Sequence, residues 1–214
     1  MEMQKALRPV KSEGTAAQVR GGRLYLSVKR VFDLVASVAA LVVCSPLMLL
    51  IAALVKLESP GPAIFKQERV GKDGAPFTMY KFRSMRLDAE KDGPKWAEVD
   101  DERCTKVGRI IRRFHMDELP QLWNIVKGEM SIVGPRPERE FFYKEIEETL
   151  PEYRVRLQVK PGLTGLSQVN GCYDQTMAER LEYDLEYMRK RGYGMDLVCI
   201  LKTVGVVLSG KGAR

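Results

Sequence analysis

The run Leu34 to Val55, L-V-A-S-V-A-A-L-V-V-C-S-P-L-M-L-L-I-A-A-L-V, holds no charged residue over 22 positions. As a helix it meets the roughly 20 apolar residues that a bilayer core requires. It starts late, is long and lacks a small-x-small cleavage pattern, so it does not read as a signal peptide. Ser45-Pro46 falls at its midpoint. Proline removes a backbone donor there and clashes with the preceding turn, which predicts a kink. Both flanks are basic, and residues 1–32 carry seven Lys or Arg against two Glu. Cytoplasmic loops attract positive charge, and both ends cannot be cytoplasmic if the helix crosses once. A re-entrant helix over 29–58 that bends at Ser45-Pro46 and returns to the same face resolves the conflict. An ordinary proline-kinked transmembrane helix is the alternative.

Around this segment, residues 1–28 read as a basic flexible tail and 59–214 as a catalytic domain. The whole chain has 35 Lys or Arg against 28 Asp or Glu, a formal charge of +7 that favours an anionic partner. Cys44, Cys104, Cys172 and Cys199 are scattered without a C-x-x-C pair, which gives no support to a zinc site or a disulfide framework. Cys44 and Cys199 read as small hydrophobes.

Ala63–Val70 and Phe77–Met85 predict a hairpin around G-K-D-G at Gly71–Gly74. Arg86–Arg103 is a charged connector or a site-covering loop. Lys106–Phe114 predicts an amphipathic helix, with Val107, Ile110, Ile111 and Phe114 on one side and four cations on the other. A helix is expected from Asp117 to Val126, another over Glu138–Thr149, and a third opened by the capping box Thr176-x-x-Glu179. Asp196–Leu208 either lies flat on a membrane or docks on the core.

The chemistry concentrates in R-R-F-H-M-D-E-L-P-Q-L-W-N, Arg112–Asn124. Asp117 at a helix start, among arginines, is expected to ionise readily. An ionised carboxylate can attack phosphorus, and Mg²⁺ held by Asp117 and Glu118 would screen its repulsion from a diphosphate. A plain N-cap and lipid-headgroup contacts are the competing roles for the acids and arginines. His115 receives no role. Gly134–Pro137, G-P-R-P, presents Arg136 on a rigid turn suited to clamping phosphate. The glycines of Lys160–Gly171, K-P-G-L-T-G-L-S-Q-V-N-G, allow close backbone approach to a ligand.

K-R-V-F-D at Lys29–Asp33, Ser45-Pro46, K-F-R-S-M at Lys81–Met85, D-E-L-P-Q-L-W-N, G-P-R-P and P-G-L-T-G-L-S-Q-V-N-G occur in one order. The set closely resembles the bacterial sugar transferase family, the monotopic polyprenyl-phosphate phosphoglycosyl transferases, in their minimal catalytic form. The resemblance implies transfer of a sugar 1-phosphate, a hexose by the likeness of Gly134–Arg139, from a UDP-sugar to undecaprenyl phosphate with release of UMP. Asp117 matches the family's nucleophile and Glu118 the second acid, with Mg²⁺ as cofactor. Arg112 and Arg136 match its phosphate-binding arginines, and Ser45-Pro46 its re-entrant break. It further implies the cytoplasmic face of a bacterial inner membrane and a first membrane step toward exopolysaccharide, capsule or O-antigen. Cys172 stands where many members have arginine, which bears on donor choice.

The expected fold is therefore α+β: a mostly helical monotopic membrane protein with a re-entrant N-terminal helix and a small β-hairpin. UDP-sugar, undecaprenyl phosphate and membrane lipid are the expected partners, and a homo-oligomer is compatible with them. A non-catalytic membrane adaptor that binds anionic lipid or an assembly partner is the rival class. A membrane-tethered nucleic-acid binder is the third, and no nucleic-acid motif accompanies its charge.

Overall fold

The computed structural model describes residues 19–91, 93–96, 98, 100–171 and 175–209. Most of the expected tail, and Cys172, lie outside the described residues. The first helix, α1, spans Arg23–Glu58, so it begins six residues earlier than the expected boundary at Lys29. At 36 residues it is about 54 Å long. It continues through Pro46, whose ring cannot donate to the carbonyl of Val42 four residues earlier. Ser45 supplies the missing donor, its Oγ lying 2.7 Å from the Val42 carbonyl. The Ser-Pro pair thus satisfies the freed acceptor, and α1 runs as one helix through the expected break.

Both halves of α1 dock on the same body. In the N-terminal half, Lys29 Nζ reaches Asp196 at 3.0 Å, and Arg30 donates to the Ile125 and Val126 carbonyls at 2.6 and 2.8 Å. Asp33 is buried and accepts from Ser131 Oγ at 2.7 Å. In the C-terminal half, Ile51 and Val55 pack with Phe82 and Ile111. The Glu58 carboxylate accepts from the backbone N–H groups of Lys106 and Val107. Both ends of α1 thus contact one body, an arrangement consistent with the monotopic reading. The face turned away from the protein is apolar and exposed, including Val35, Val42, Leu49, Leu50 and Leu57. It is an outward surface of the kind that lipid covers, since only 11% of the most apolar window is buried.

Strands β1 (Ile64–Val70) and β2 (Pro76–Phe82) form the expected antiparallel hairpin, with Ile64 opposite Phe82. Asp73 takes a positive φ in the turn. Helices α2 (Lys106–Arg113), α3 (Gln121–Lys127) and α4 (Glu140–Glu147) follow. In α2, Val107 and Ile111 pack inward, whereas Ile110 and Phe114 are exposed beside Arg113, so the expected apolar side divides. The 86–103 connector is pinned: Trp96 stacks on Phe142 at 3.9 Å, and Glu90 pairs with Arg139.

A second sheet has no counterpart in the sequence expectations. Strand β3 (Ser131–Val133) pairs in parallel with β4 (Gly162–Thr164), and a 3₁₀ segment at Pro151–Gln158 lies between them in sequence. The short α5 (Leu166–Asn170) leads to α6 (Met177–Lys190), opened by the full Thr176/Glu179 capping box. The last helix, α7 (Tyr193–Ser209), docks on the core, the second of the two expectations for it. Cys199 is fully buried in the core and Thr203 bonds Thr164 at 2.6 Å, while Leu197, Leu201 and Leu208 face outward.

Candidate active site

Asp117 and Glu118 do not open a helix. They sit in a 3₁₀ turn, Met116–Glu118, between α2 and α3, and α3 begins only at Gln121. His115, at φ +54, reverses the chain after α2. Pro120 caps the start of α3, and Leu119 before it stays in helical geometry, so the 3₁₀ turn runs into α3 without a break in chain direction. Asp117 lies outside α3, and burial together with neighbouring side chains governs its charge.

Those side chains treat the two acids differently. Lys81 Nζ on β2 lies 2.8 Å from Glu118 Oε1, and Arg136 Nη2 lies 2.7 Å from the same oxygen. Burial pushes Glu118 up, yet Arg136 and Lys81 together outweigh it and hold its carboxyl well below the usual range. Asp117 is equally buried, at 7% exposure. Among the described residues none donates a hydrogen bond to its carboxylate, and it feels the cations only at a distance. Burial raises it, Lys81 opposes, the Glu118 charge raises it again, and Arg112 and Arg136 oppose. The expectation of a readily ionised Asp117 is thus corrected: desolvation dominates. One acid is an anchored anion and the other a desolvated carboxylate with open oxygens.

Four of the expected site residues converge here. Arg112 is held by Ser84 Oγ at 3.3 Å and lies within electrostatic reach of Asp117. Arg136 meets the pair directly, its fork facing both Glu118 oxygens. Ser45 and Pro46 belong to α1 and serve its geometry rather than this cluster.

The turn carrying Arg136 is fixed from three sides. Arg156, fully buried, donates to the Arg136 carbonyl at 2.9 Å and pairs with buried Asp184 at 2.7 Å. Arg69 donates to the Pro137 carbonyl at 3.0 Å and pairs with Glu138. The third contact is backbone on backbone. A side chain at Gly134 would overlap the Lys160 carbonyl, and one at Gly162 or Gly165 would overlap Gly134. Gly162 and Gly165 therefore serve close packing against G-P-R-P, a structural role beside the expected approach to a ligand.

Lys81, Arg69, Gln121 and Arg156 received no role from sequence. The Lys81 motif was visible, but its partner is 37 positions away in the chain. The same motif divides its labour, since Arg83 donates to the Ser59 carbonyl at 2.8 Å and closes the end of α1.

For a metal, no cluster of three ligating side chains exists among the described residues. Mg²⁺ needs only one or two carboxylates beside substrate phosphate oxygens. The open Asp117 oxygens, buried among cations and hard in character, fit that requirement. Glu118 fits it less well, because two cations already share Oε1.

A sequence model of the family described as "Bacterial sugar transferase" matches residues 24–210. The UDP-N-acetylgalactosamine-undecaprenyl-phosphate N-acetylgalactosaminephosphotransferase of Aeromonas hydrophila is 43% identical over 195 residues, covering 89% of this chain and 46% of its own. The UDP-glucose:undecaprenyl-phosphate glucose-1-phosphate transferase of Caulobacter vibrioides is 44% identical over 188 residues, covering 85% and 70%. An exopolysaccharide production protein of Rhizobium leguminosarum bv. phaseoli is 42% identical over 200 residues, covering 87% and 98%. The chain spans less than half the length of the Aeromonas relative and nearly all of the Rhizobium one.

Proposed function

The chain belongs to the bacterial sugar transferase family, and from that membership and the acid pair we propose that it transfers a sugar 1-phosphate from a UDP-sugar to undecaprenyl phosphate. The relatives' names support this donor and acceptor. The observation that carries the mechanism is the asymmetry between the carboxylates. Glu118 is held by Lys81 and Arg136, whereas Asp117 keeps both oxygens open.

An Asp117 oxygen attacks the phosphorus that bears the sugar. A new O–P bond forms, the P–O bond to the nucleotide breaks, and UMP leaves with the electron pair. A phosphate oxygen of undecaprenyl phosphate then attacks the same phosphorus. The acyl-phosphate O–P bond breaks, and its electrons return to the Asp117 carboxylate. Arg112 and Arg136, both within electrostatic reach of Asp117, would balance the charge of the donor's phosphates. Mg²⁺, held by Asp117 with Glu118 beside it, would screen the carboxylate from the diphosphate.

Docking of both ends of α1 on one body supports placement on a single membrane face, the cytoplasmic face of the bacterial inner membrane, where a soluble nucleotide sugar meets a lipid acceptor. The product would open assembly of a surface glycan such as exopolysaccharide, capsule or O-antigen. A hexose is the proposed sugar. Relatives of nearly equal identity act on glucose and on N-acetylgalactosamine, so overall identity does not carry the choice. Incubation with undecaprenyl phosphate, Mg²⁺ and a panel of UDP-sugars tests the reading: UMP is released with UDP-glucose or UDP-galactose. Absence of UMP with every donor would overturn it in favour of a non-catalytic membrane adaptor.

A further inference from the structure

Arg83 is buried, and among the described residues its side-chain hydrogen bonds all go to the exit of α1. It donates to the Val55, Ser59 and Pro60 carbonyls at 3.3, 2.8 and 2.5 Å, and to Ser59 Oγ at 3.0 Å. A buried charge needs compensation, and here the negative end of a 36-residue helix supplies it in place of a carboxylate. Gly61, at φ +113, passes so close that a side chain there would overlap the guanidinium. The neighbours of Arg83 in the chain serve the acid pair. Lys81, about 7 Å back along extended chain, holds Glu118, and Ser84 holds Arg112. Glu58 makes a second tie from the same turn of α1, to the first N–H groups of α2. The outer face of α1 is apolar as far as Leu57, and Glu58 and Ser59 follow, so the apolar surface ends where Arg83 grips.

We propose that Arg83 is a positioning residue for the second half-reaction. By fixing the exit of α1 to the stretch that carries Lys81 and Ser84, it sets the acid pair at the height where the phosphate of a lipid acceptor arrives. This rests on the two-step transfer proposed above and assigns one residue to its lipid-facing step. The two substrates differ in what they demand. A soluble nucleotide sugar reaches Asp117 from water whatever the height of the site. The acceptor is confined to the bilayer and its phosphate lies at one level, so a slack link between α1 and the acid pair handicaps the acceptor alone. Arginine suits the task because its planar fork spans several carbonyls at once, which a lysine ammonium does not.

The test uses the full chain in nanodiscs and reads the two steps apart. UMP release without acceptor reports the first. Loss of the sugar-phosphate label from the protein, on addition of undecaprenyl phosphate, reports the second. In Arg83→Gln the first step is unchanged and the second slows roughly tenfold, as expected for lost hydrogen bonds from a charged group. Slow loss of the label to water, which needs no lipid, also stays unchanged. Arg83→Lys keeps the charge without the fork and falls between Arg83→Gln and wild type; it carries the same test if Arg83→Gln does not fold. Equal slowing of both steps, or a changed rate of loss to water, makes Arg83 a structural residue of the acid pair and overturns the proposal. Undiminished transfer to undecaprenyl phosphate in the folded variants overturns it as well. The two proposals fail distinguishably. Wild-type protein that releases no UMP from any UDP-sugar removes both, whereas normal wild-type turnover with the wrong division between steps in the variants removes only the role of Arg83.

Discussion

Lys81 Nζ lies 2.8 Å from Glu118 Oε1, and the same oxygen takes Arg136 Nη2 at 2.7 Å. Two cations on one carboxylate oxygen leave Glu118 little freedom to act as a nucleophile or base. They hold it as a fixed negative charge, which is why the proposed mechanism takes Asp117 as the reactive acid.

Lys81→Met removes one of those cations. Breaking a buried ion pair from one side costs about 3–5 kcal/mol, because the remaining charge stays buried without its partner. The first half-reaction should slow by roughly 10²–10³, the range seen for loss of one electrostatic stabiliser. A denaturant melt and single-turnover UMP release check both numbers. Near-normal rates in a folded variant would remove Lys81 from the site.

The pH profile reports which acid must be ionised. Asp117 is raised by burial and by Glu118, so the acid limb of UMP release should lie above the ~3.9 of an ordinary aspartate. Glu118→Gln removes a like charge and frees Lys81 and Arg136 to act on Asp117, both of which lower its pKa. The limb should move to lower pH, in a variant that is slower by about 10²-fold. A limb that stays in place, or moves upward, contradicts the assignment of Asp117.

Much of this architecture was legible in sequence because its signals are long or local. The apolar run at 34–55 needed only hydropathy, the hairpin only its Gly71–Gly74 turn, and α6 only Thr176 and Glu179. The β3–β4 pair was hidden, since three-residue strands carry no periodicity and their partners lie 31 positions apart, as Ser131 and Gly162 do. The helix start was misplaced by four residues, Asp117 opening the expected helix and Gln121 the observed one, with a 3₁₀ turn between α2 and α3 that has no periodic signal. Lys81 and Arg156 act through partners that only folding brings near.

Gly134→Ala and Gly205→Ala separate packing from propensity. A Cβ at Gly134 meets the Lys160 carbonyl, so the variant should lose roughly 3 kcal/mol or more and carry Arg136 out of place. A Cβ at Gly205 meets nothing within 4 Å inside α7, and alanine there should add up to ~1 kcal/mol. Equal effects in thermal melts would mean that the Gly134 crossing is not as tight as described.

The proposed membrane topology puts both ends of α1 on one face. Cysteines at Leu24 and Leu57, exposed at 76% and 83% near its two ends, should both react with an impermeant maleimide in inverted inner-membrane vesicles. Neither should react in intact spheroplasts. Labelling from opposite faces would establish a crossing helix.

The central claim is that Asp117 becomes covalently bonded to the sugar phosphate. With a UDP-sugar labelled in its sugar-linked phosphate and no acceptor, wild-type protein should release about one equivalent of UMP and retain the label. Asp117→Asn should release none and retain none, while remaining folded. UMP release and label retention undiminished in Asp117→Asn, or UMP release from wild-type protein that requires undecaprenyl phosphate, would contradict it.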